Sequence, residues 1–160
     1  MTSYAISSNL HLVLDTDVIV AAMRSRSGAS WQLMDKALAG EFTLLLSVPL
    51  VLQYEAVLKR EEHRAVHNLT DGQLDQVIGA LVRVAAPVQI RFLWRPVLSD
   101  PSDDMVLETA VNGQADLLVT FNLGDFALAA KIFAHHALRP RDALHLVREH
   151  AKRQFRLEES

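Results

Sequence analysis

Short apolar runs alternate with longer stretches of helical periodicity along this chain. Residues 11–14 (HLVL) form the first run, which stops abruptly at Asp15 and reads as a buried strand. Residues 16–23 follow with short-helix character, and RSRSG (24–28) is a polar loop. Residues 30–39 repeat apolar positions at helical spacing, with Gly40 as a stop signal. Residues 42–46 are a second strand. Ser47 then caps a helix that tolerates Pro49 in its first turn and runs to about Arg60. Thr70 and Gln73 have capping-box spacing, and Leu74, Val77, Ile78, Leu81 and Val82 supply one apolar face.

Pro87 ends that helix, and residues 88–90 predict a short third strand. Ser102 or Asp103 is placed to cap a helix over 104–110, closed by Gly113. Residues 117–120 are a fourth strand, 134–138 a weaker fifth, and Pro140 opens a last helix to about Arg153. Strands alternating with helices specify an α/β sandwich around a mostly parallel sheet.

The length of 160 residues suits one domain over 1–160, with residues 1–10 and 154–160 as expected flexible ends. Half the residues are hydrophobic, which excludes general disorder. Absence of cysteine excludes disulfides and thiolate metal sites and is compatible with a reducing cytoplasm, the expected location. No apolar run approaches the ~20 residues of a membrane helix. The start, MTSYAISSNLH, lacks the basic and apolar regions of a signal peptide.

A net charge of −3 is not that of a general nucleic-acid coat protein. Positive charge is local: Arg24 with Arg26, Lys59 with Arg60, Arg91 with Arg95, Arg139 with Arg141, and Arg148 with Lys152 and Arg153. Such scattered pairs are ordinary solvated surface unless they flank a phosphate site.

The chemistry-bearing residues cluster at strand ends and helix starts. Asp15 directly follows the first strand, and ligands of open parallel sheets bind beyond the carboxyl ends of strands. Its plain alternative role is to cap the next helix. Thr16 is a neighbouring small donor, and Asp17, two residues on, is expected to point elsewhere on the helix. Asp100, Asp103 and Asp104 put three acids within five residues, more than one cap requires; Asp104 is the one expected to reach a ligand. After the fourth strand and Thr120, Asn122 and Asp125 are both oxygen donors, although Asn, Gly and Asp also favour plain turns. The helix after Ser47 presents Gln53 and Glu55, about 200° apart around the axis, so they do not face one site. Acids that converge in space repel unless a cation lies between them, and hard oxygen donors suit Mg²⁺ or Mn²⁺.

Taken together, LVLDTDVIVAA, LLLSVPLVLQYEAVLKR, PVLSDPSDDMVLETAVNGQADLLVTFNLGDF and LRPRDALHL resemble the PIN-domain ribonucleases, nearest to the VapC-type toxins of bacterial toxin–antitoxin systems. The resemblance covers nearly the whole chain and lies in the order and spacing of these pieces. It implies a three-layer α/β/α domain that holds Mg²⁺ or Mn²⁺ in an acidic pocket and cuts RNA internally. It also implies a cognate antitoxin protein and a homodimer; the apolar face of Leu74, Ile78 and Leu81 is one surface to consider, although these residues read first as core. By position, the family's first aspartate falls on Asp15, its third acid on Asp104, and its fourth on Asn122 or Asp125, with Asp15, Asp104 and Asp125 as the implied metal ligands. Thr16, Thr120 and Asp17 are the implied polar neighbours. Two departures stand out: Asp17 replaces the usual asparagine, and Gln53 falls where a glutamate is expected, which removes one charge and any base role.

The reaction expected is metal-assisted hydrolysis of an RNA phosphodiester, with Arg24, Arg26 and Lys59 steering the substrate. Two rival functions are compatible with the same residues. The Asp15-Thr16-Asp17 pattern after a strand also suits a haloacid-dehalogenase-like phosphatase with Asp15 as nucleophile. Gln53 also suits a PIN module that binds RNA or protein without cutting. His135 and His136 are adjacent and read as strand-end residues, and His145 as a helix-face residue.

Overall fold

The structure is a computed structural model that describes residues 9–91, 101–127 and 136–160. Arg95, Asp100 and His135 lie outside the described residues, as do the side chains of Ser102, Asp103 and His136.

In chain order the elements are β1 (His11–Leu14), α1 (Thr16–Arg24), α2 (Ala29–Leu38), β2 (Thr43–Leu46), α3 (Val48–Leu58), α4 (Glu61–His67), α5 (Asp71–Val84), β3 (Ala86–Pro87), α6 (Pro101–Asn112), β4 (Leu117–Val119), β5 (His136–Leu138) and α7 (Pro140–Glu158). The strands form one five-stranded sheet in the order β3-β2-β1-β4-β5, and every pairing is parallel. The chain is therefore an α/β protein of the expected class. The apolar runs LVL, LLL and LLV are buried on both sheet faces, which is why they read as continuous rather than alternating hydrophobic stretches.

Strand order matters for the site. From β1 the chain moves to β2 and then β3 on one side, whereas β4 and β5 lie on the other. The reversal falls between β1 and β4, where connections leave in opposite directions and open a crevice at the carboxyl ends. Leu14 pairs with Val119 across that boundary, and the Asp15 amide donates to the Val119 carbonyl at 2.8 Å.

The caps follow the sequence closely. Ser47 caps α3 by accepting from the Leu50 amide, and Thr70 with Gln73 forms the reciprocal capping box of α5. Leu74, Ile78 and Leu81 are buried in the core of this chain, so they are not a free surface for a second copy.

Four local expectations are corrected. The third strand occupies 86–87 rather than 88–90, because its partner β2 ends at Leu46 and only the Val88 amide still reaches the Leu46 carbonyl. Pro87 is accommodated because β3 is an edge strand. Helix α4 was not anticipated: none of its residues is buried, so no apolar stripe marks it. Helix α6 begins at Pro101, which places Ser102 and Asp103 inside its first turn rather than at its cap. The last helix continues past Arg153 to Glu158.

Gly113 does follow α6, but the left-handed residue there is Gln114, at φ 52°. Glycine is needed at 113 for space: a Cβ would lie 2.8 Å from Val88 Cγ2 and 2.9 Å from the Thr109 carbonyl.

Candidate active site

A cleft of about 470 Å³ opens at the β1/β4 crevice, lined by Asp15, Thr16, Asp17, Arg24, Gln53, Arg60, His63, Phe121 and Asn122 among others. Asp15 is its most buried acid, at 4% exposure. It is the N-cap of α1, with extended backbone geometry and one carboxylate oxygen accepting from the Thr16 amide at 2.6 Å. The other oxygen accepts from Thr120 Oγ1 at 2.7 Å. Capping and cleft lining are thus the same placement, not alternatives.

The turn after β4 is tied to the turn after β1 at two successive residues, Thr120 and Phe121. Thr120 Oγ1 donates to Asp15 and accepts from the Asn122 amide at 2.9 Å. Between them, the Phe121 amide donates to Asp17 Oδ2 at 3.1 Å. Asp17 was expected to point away from Asp15, yet both line the cleft. The helical angle between them does not apply, because Asp15 precedes the first helical residue.

Helix α3 supplies the opposite contribution. Gln53 lines the cleft, whereas the next residue, Tyr54, is fully buried and donates to the Leu14 carbonyl. Burial raises the Tyr54 phenol well above its usual value, and the negative charges of Asp15 and Asp17 raise it further. Glu55 turns away, as its angular position required, and pairs with Lys59 at 3.0 Å. The α3 cap is also linked to α6: Ser47 Oγ and Thr109 Oγ1 lie 2.7 Å apart and buried. Thr109 gives its proton to the Met105 carbonyl, so Ser47 is the donor between the two hydroxyls.

The remaining expected residues are placed differently. Asp104 is buried on α6, which packs against β1, β2 and β4, but it is not among the residues lining the cleft. Asp125 is exposed beyond Asn122 and does not line the cleft either. Of the three expected basic residues only Arg24 lines it, donating to His63 Nδ1 at 3.0 Å. Arg26 lies over the Trp31 ring, 5.5 Å from its centroid. Lys59 bridges Glu55 and Asp75, each at 3.0 Å, and those hydrogen bonds, Asp75 first, raise its ammonium pKa.

Arg60, His63 and Phe121 are cleft residues that the sequence did not single out. Arg60 had one signal, its place in the basic pair with Lys59; the other two had none. Glu108 was also missed: it is 1% exposed, one turn beyond Asp104, at the i, i+4 spacing that puts both acids on one helix face.

Among the described residues, no three His, Cys, Asp or Glu side chains are grouped so as to hold a metal ion. The cleft offers a different donor set: the carboxylates of Asp15 and Asp17, the amides of Gln53 and Asn122, and Thr16 Oγ1, which is buried with no hydrogen-bond partner among the described residues. Mg²⁺ is ordinarily held by one or two carboxylates with retained waters and substrate phosphates, so these oxygens fit such an ion without a full protein cage.

A family model described as a PIN domain matches residues 11–124. A search by sequence among curated proteins finds no significant match. Among solved structures, the fold is similar to VapBC2 from Rickettsia felis bound to a DNA fragment from their promoter, at 12% identity and a TM-score of 0.56, covering 81% of this chain and 98% of that one. It is also similar to FitAB bound to an IR36 DNA fragment, at 15% identity and a TM-score of 0.53, covering 81% and 94%. FitAcB from Neisseria gonorrhoeae gives 18% identity and a TM-score of 0.51, covering 81% and 97%.

Proposed function

The chain belongs to the PIN-domain family, and from that premise we propose that it is a metal-dependent endoribonuclease, the toxin of a toxin–antitoxin pair. One observation supports this most: Asp15, Asp17 and Asn122 meet Arg24 and Arg60 in a single cleft at the β1/β4 reversal. Acids for a dication beside bases for a phosphate are what phosphodiester hydrolysis requires. No described helix is long and apolar enough to cross a membrane.

In the proposed mechanism, Asp15 and Asp17 would hold Mg²⁺ or Mn²⁺, with the side-chain amide oxygens of Asn122 and Gln53 as further donors. Once bound, the ion supplies Lewis-acid polarisation of a phosphate oxygen and a more acidic water. Thr16 and Thr120 keep Asp15 oriented by donating to its two oxygens. Arg24 and Arg60 draw the RNA backbone towards the cleft. Asp104 and Asp125 enter the proposal through the family pattern rather than through the cleft lining.

The test is cleavage of RNA in Mg²⁺ or Mn²⁺ by the parent and by the pair Asp15→Asn with Asp104→Asn. Loss of cleavage is expected, and unchanged cleavage overturns the site. The likeness to VapBC2 and FitAB supports a partner protein, which co-expression with a neighbouring small reading frame would test.

Gln53 favours a second reading, a PIN module that binds without cutting, because the cleft carries an amide where a further carboxylate would strengthen a metal site. Calorimetry beside the cleavage assay separates the two: tight metal binding without cleavage selects the module. Family membership leaves the phosphatase reading without support, and failure to trap an aspartyl-phosphate on Asp15 would dispose of it.

A further inference from the structure

We propose that Phe121 is a stacking platform for an unpaired base of single-stranded RNA, with Asp17 as the positioning residue that holds it at the cleft. This rests on the nuclease reading and names the form of its substrate.

Phe121 is 46% exposed, and it lines the cleft. The other phenylalanine of this segment, Phe126, is 1% exposed, so the local fold buries one aromatic and leaves the other in water. Single exposed apolar side chains are ordinary, Phe155 at 61% among them, and what sets Phe121 apart is its place in the lining of a polar cleft. The Phe121 backbone is not loose. Its amide donates to Asp17 Oδ2, and the flanking residues are joined through Thr120 Oγ1 to Asp15 and to the Asn122 amide. The ring is presented by a pinned turn, at little ordering cost on binding.

Its neighbours in the cleft select the partner. Arg24, Arg60 and His63 line the same cavity and suit a phosphate chain. Aromatic rings beside cationic side chains are the combination that binds single strands, because every unpaired base offers a face to stack on. Paired bases in an A-form duplex keep those faces within the helix. Asp17 accordingly has a use distinct from ligation: through its carboxylate oxygen it sets the Phe121 amide and hence the direction of the ring.

The test measures binding by fluorescence anisotropy, with Ca²⁺ in place of Mg²⁺ and two labelled probes, an unstructured oligoribonucleotide and a blunt-ended RNA duplex without a loop. The readout is the ratio of the two affinities, which a general disturbance of charge or folding would not move. Phe121→Ala is expected to weaken single-strand binding by about 5- to 100-fold while sparing the duplex. Phe121→Trp keeps the preference. Asp17→Ala lowers the ratio as Phe121→Ala does, and Asp17→Asn, which retains an acceptor oxygen for the Phe121 amide, restores it. Parent protein that binds RNA while Phe121→Ala leaves the ratio unchanged overturns the platform alone; Phe121 would then be a contact for a protein partner. Parent protein that binds neither probe overturns the nuclease reading together with it.

Discussion

The Tyr54 hydroxyl donates to the carbonyl of Leu14, the residue immediately before Asp15. Both residues are fully buried. Helix α3 therefore clamps the end of the central strand with one side chain and presents the preceding one, Gln53, to the cleft. Consecutive helical residues differ by about 100° in direction, which allows adjacent positions these separate tasks. Tyr54→Phe leaves the Leu14 carbonyl without this donor and is expected to lower stability by about 1–3 kcal/mol, measured by urea unfolding.

The same tyrosine sets an alkaline limit. Its phenol pKa is raised in the folded state, so the folded state prefers the protonated form. The associated stability is complete below the unfolded tyrosine value of about 10 and is lost as pH rises beyond it. Tyr4 and Tyr54 are the two tyrosines of the chain. In a Tyr4→Phe background, phenolate absorbance is expected to appear only together with alkaline unfolding. A phenolate titrating near 10 with the circular dichroism unchanged would contradict the clamp.

Ser47 joins two helices through one hydroxyl, accepting from the Leu50 amide and meeting Thr109 on α6. Ser47→Ala takes the acceptor from the Leu50 amide and one of two hydrogen bonds from Thr109 Oγ1, for an expected loss of about 1–3 kcal/mol. Thr109→Val in the same background is expected to cost less than it does alone, because the two share one contact. A double-mutant cycle of urea midpoints checks this.

Gln53→Glu adds a carboxylate to the cleft lining. Mn²⁺ affinity by calorimetry is expected to rise on the order of ten-fold, since charge count tunes dication binding over decades. Cleavage should rise with it if the nuclease reading holds. Weaker Mn²⁺ binding would place the ion away from α3.

Arg60 and Lys59 are sequence neighbours with different surroundings: Arg60 lines the cleft, while Lys59 is shared by Glu55 and Asp75. Arg60→Ala is expected to weaken RNA binding more than Lys59→Ala and to reduce the salt slope of log K by about 1. Equal losses from the two variants would point to general attraction in place of a directed contact.

The sequence by itself determined the class of fold and most of its punctuation. Fully buried parallel strands read as continuous apolar runs, and caps such as Ser47 and the Thr70–Gln73 pair are local chemistry that neighbouring residues settle alone. Asp15 was legible because a carboxylate interrupts such a run. Helix α4 was not legible, since it buries nothing and carries no period.

Tertiary structure alone decided which donors share one cleft. Strand order brought residues 15–17 beside 120–122, more than a hundred positions away, through β1/β4 pairing that no local pattern encodes. It selected Asn122 over Asp125 for the cleft, placed Lys59 in a surface ion pair, and added Arg60, His63 and Phe121. Side-chain chemistry is written residue by residue, whereas a site is a set of distances, and distances between remote segments exist only after the sheet has paired.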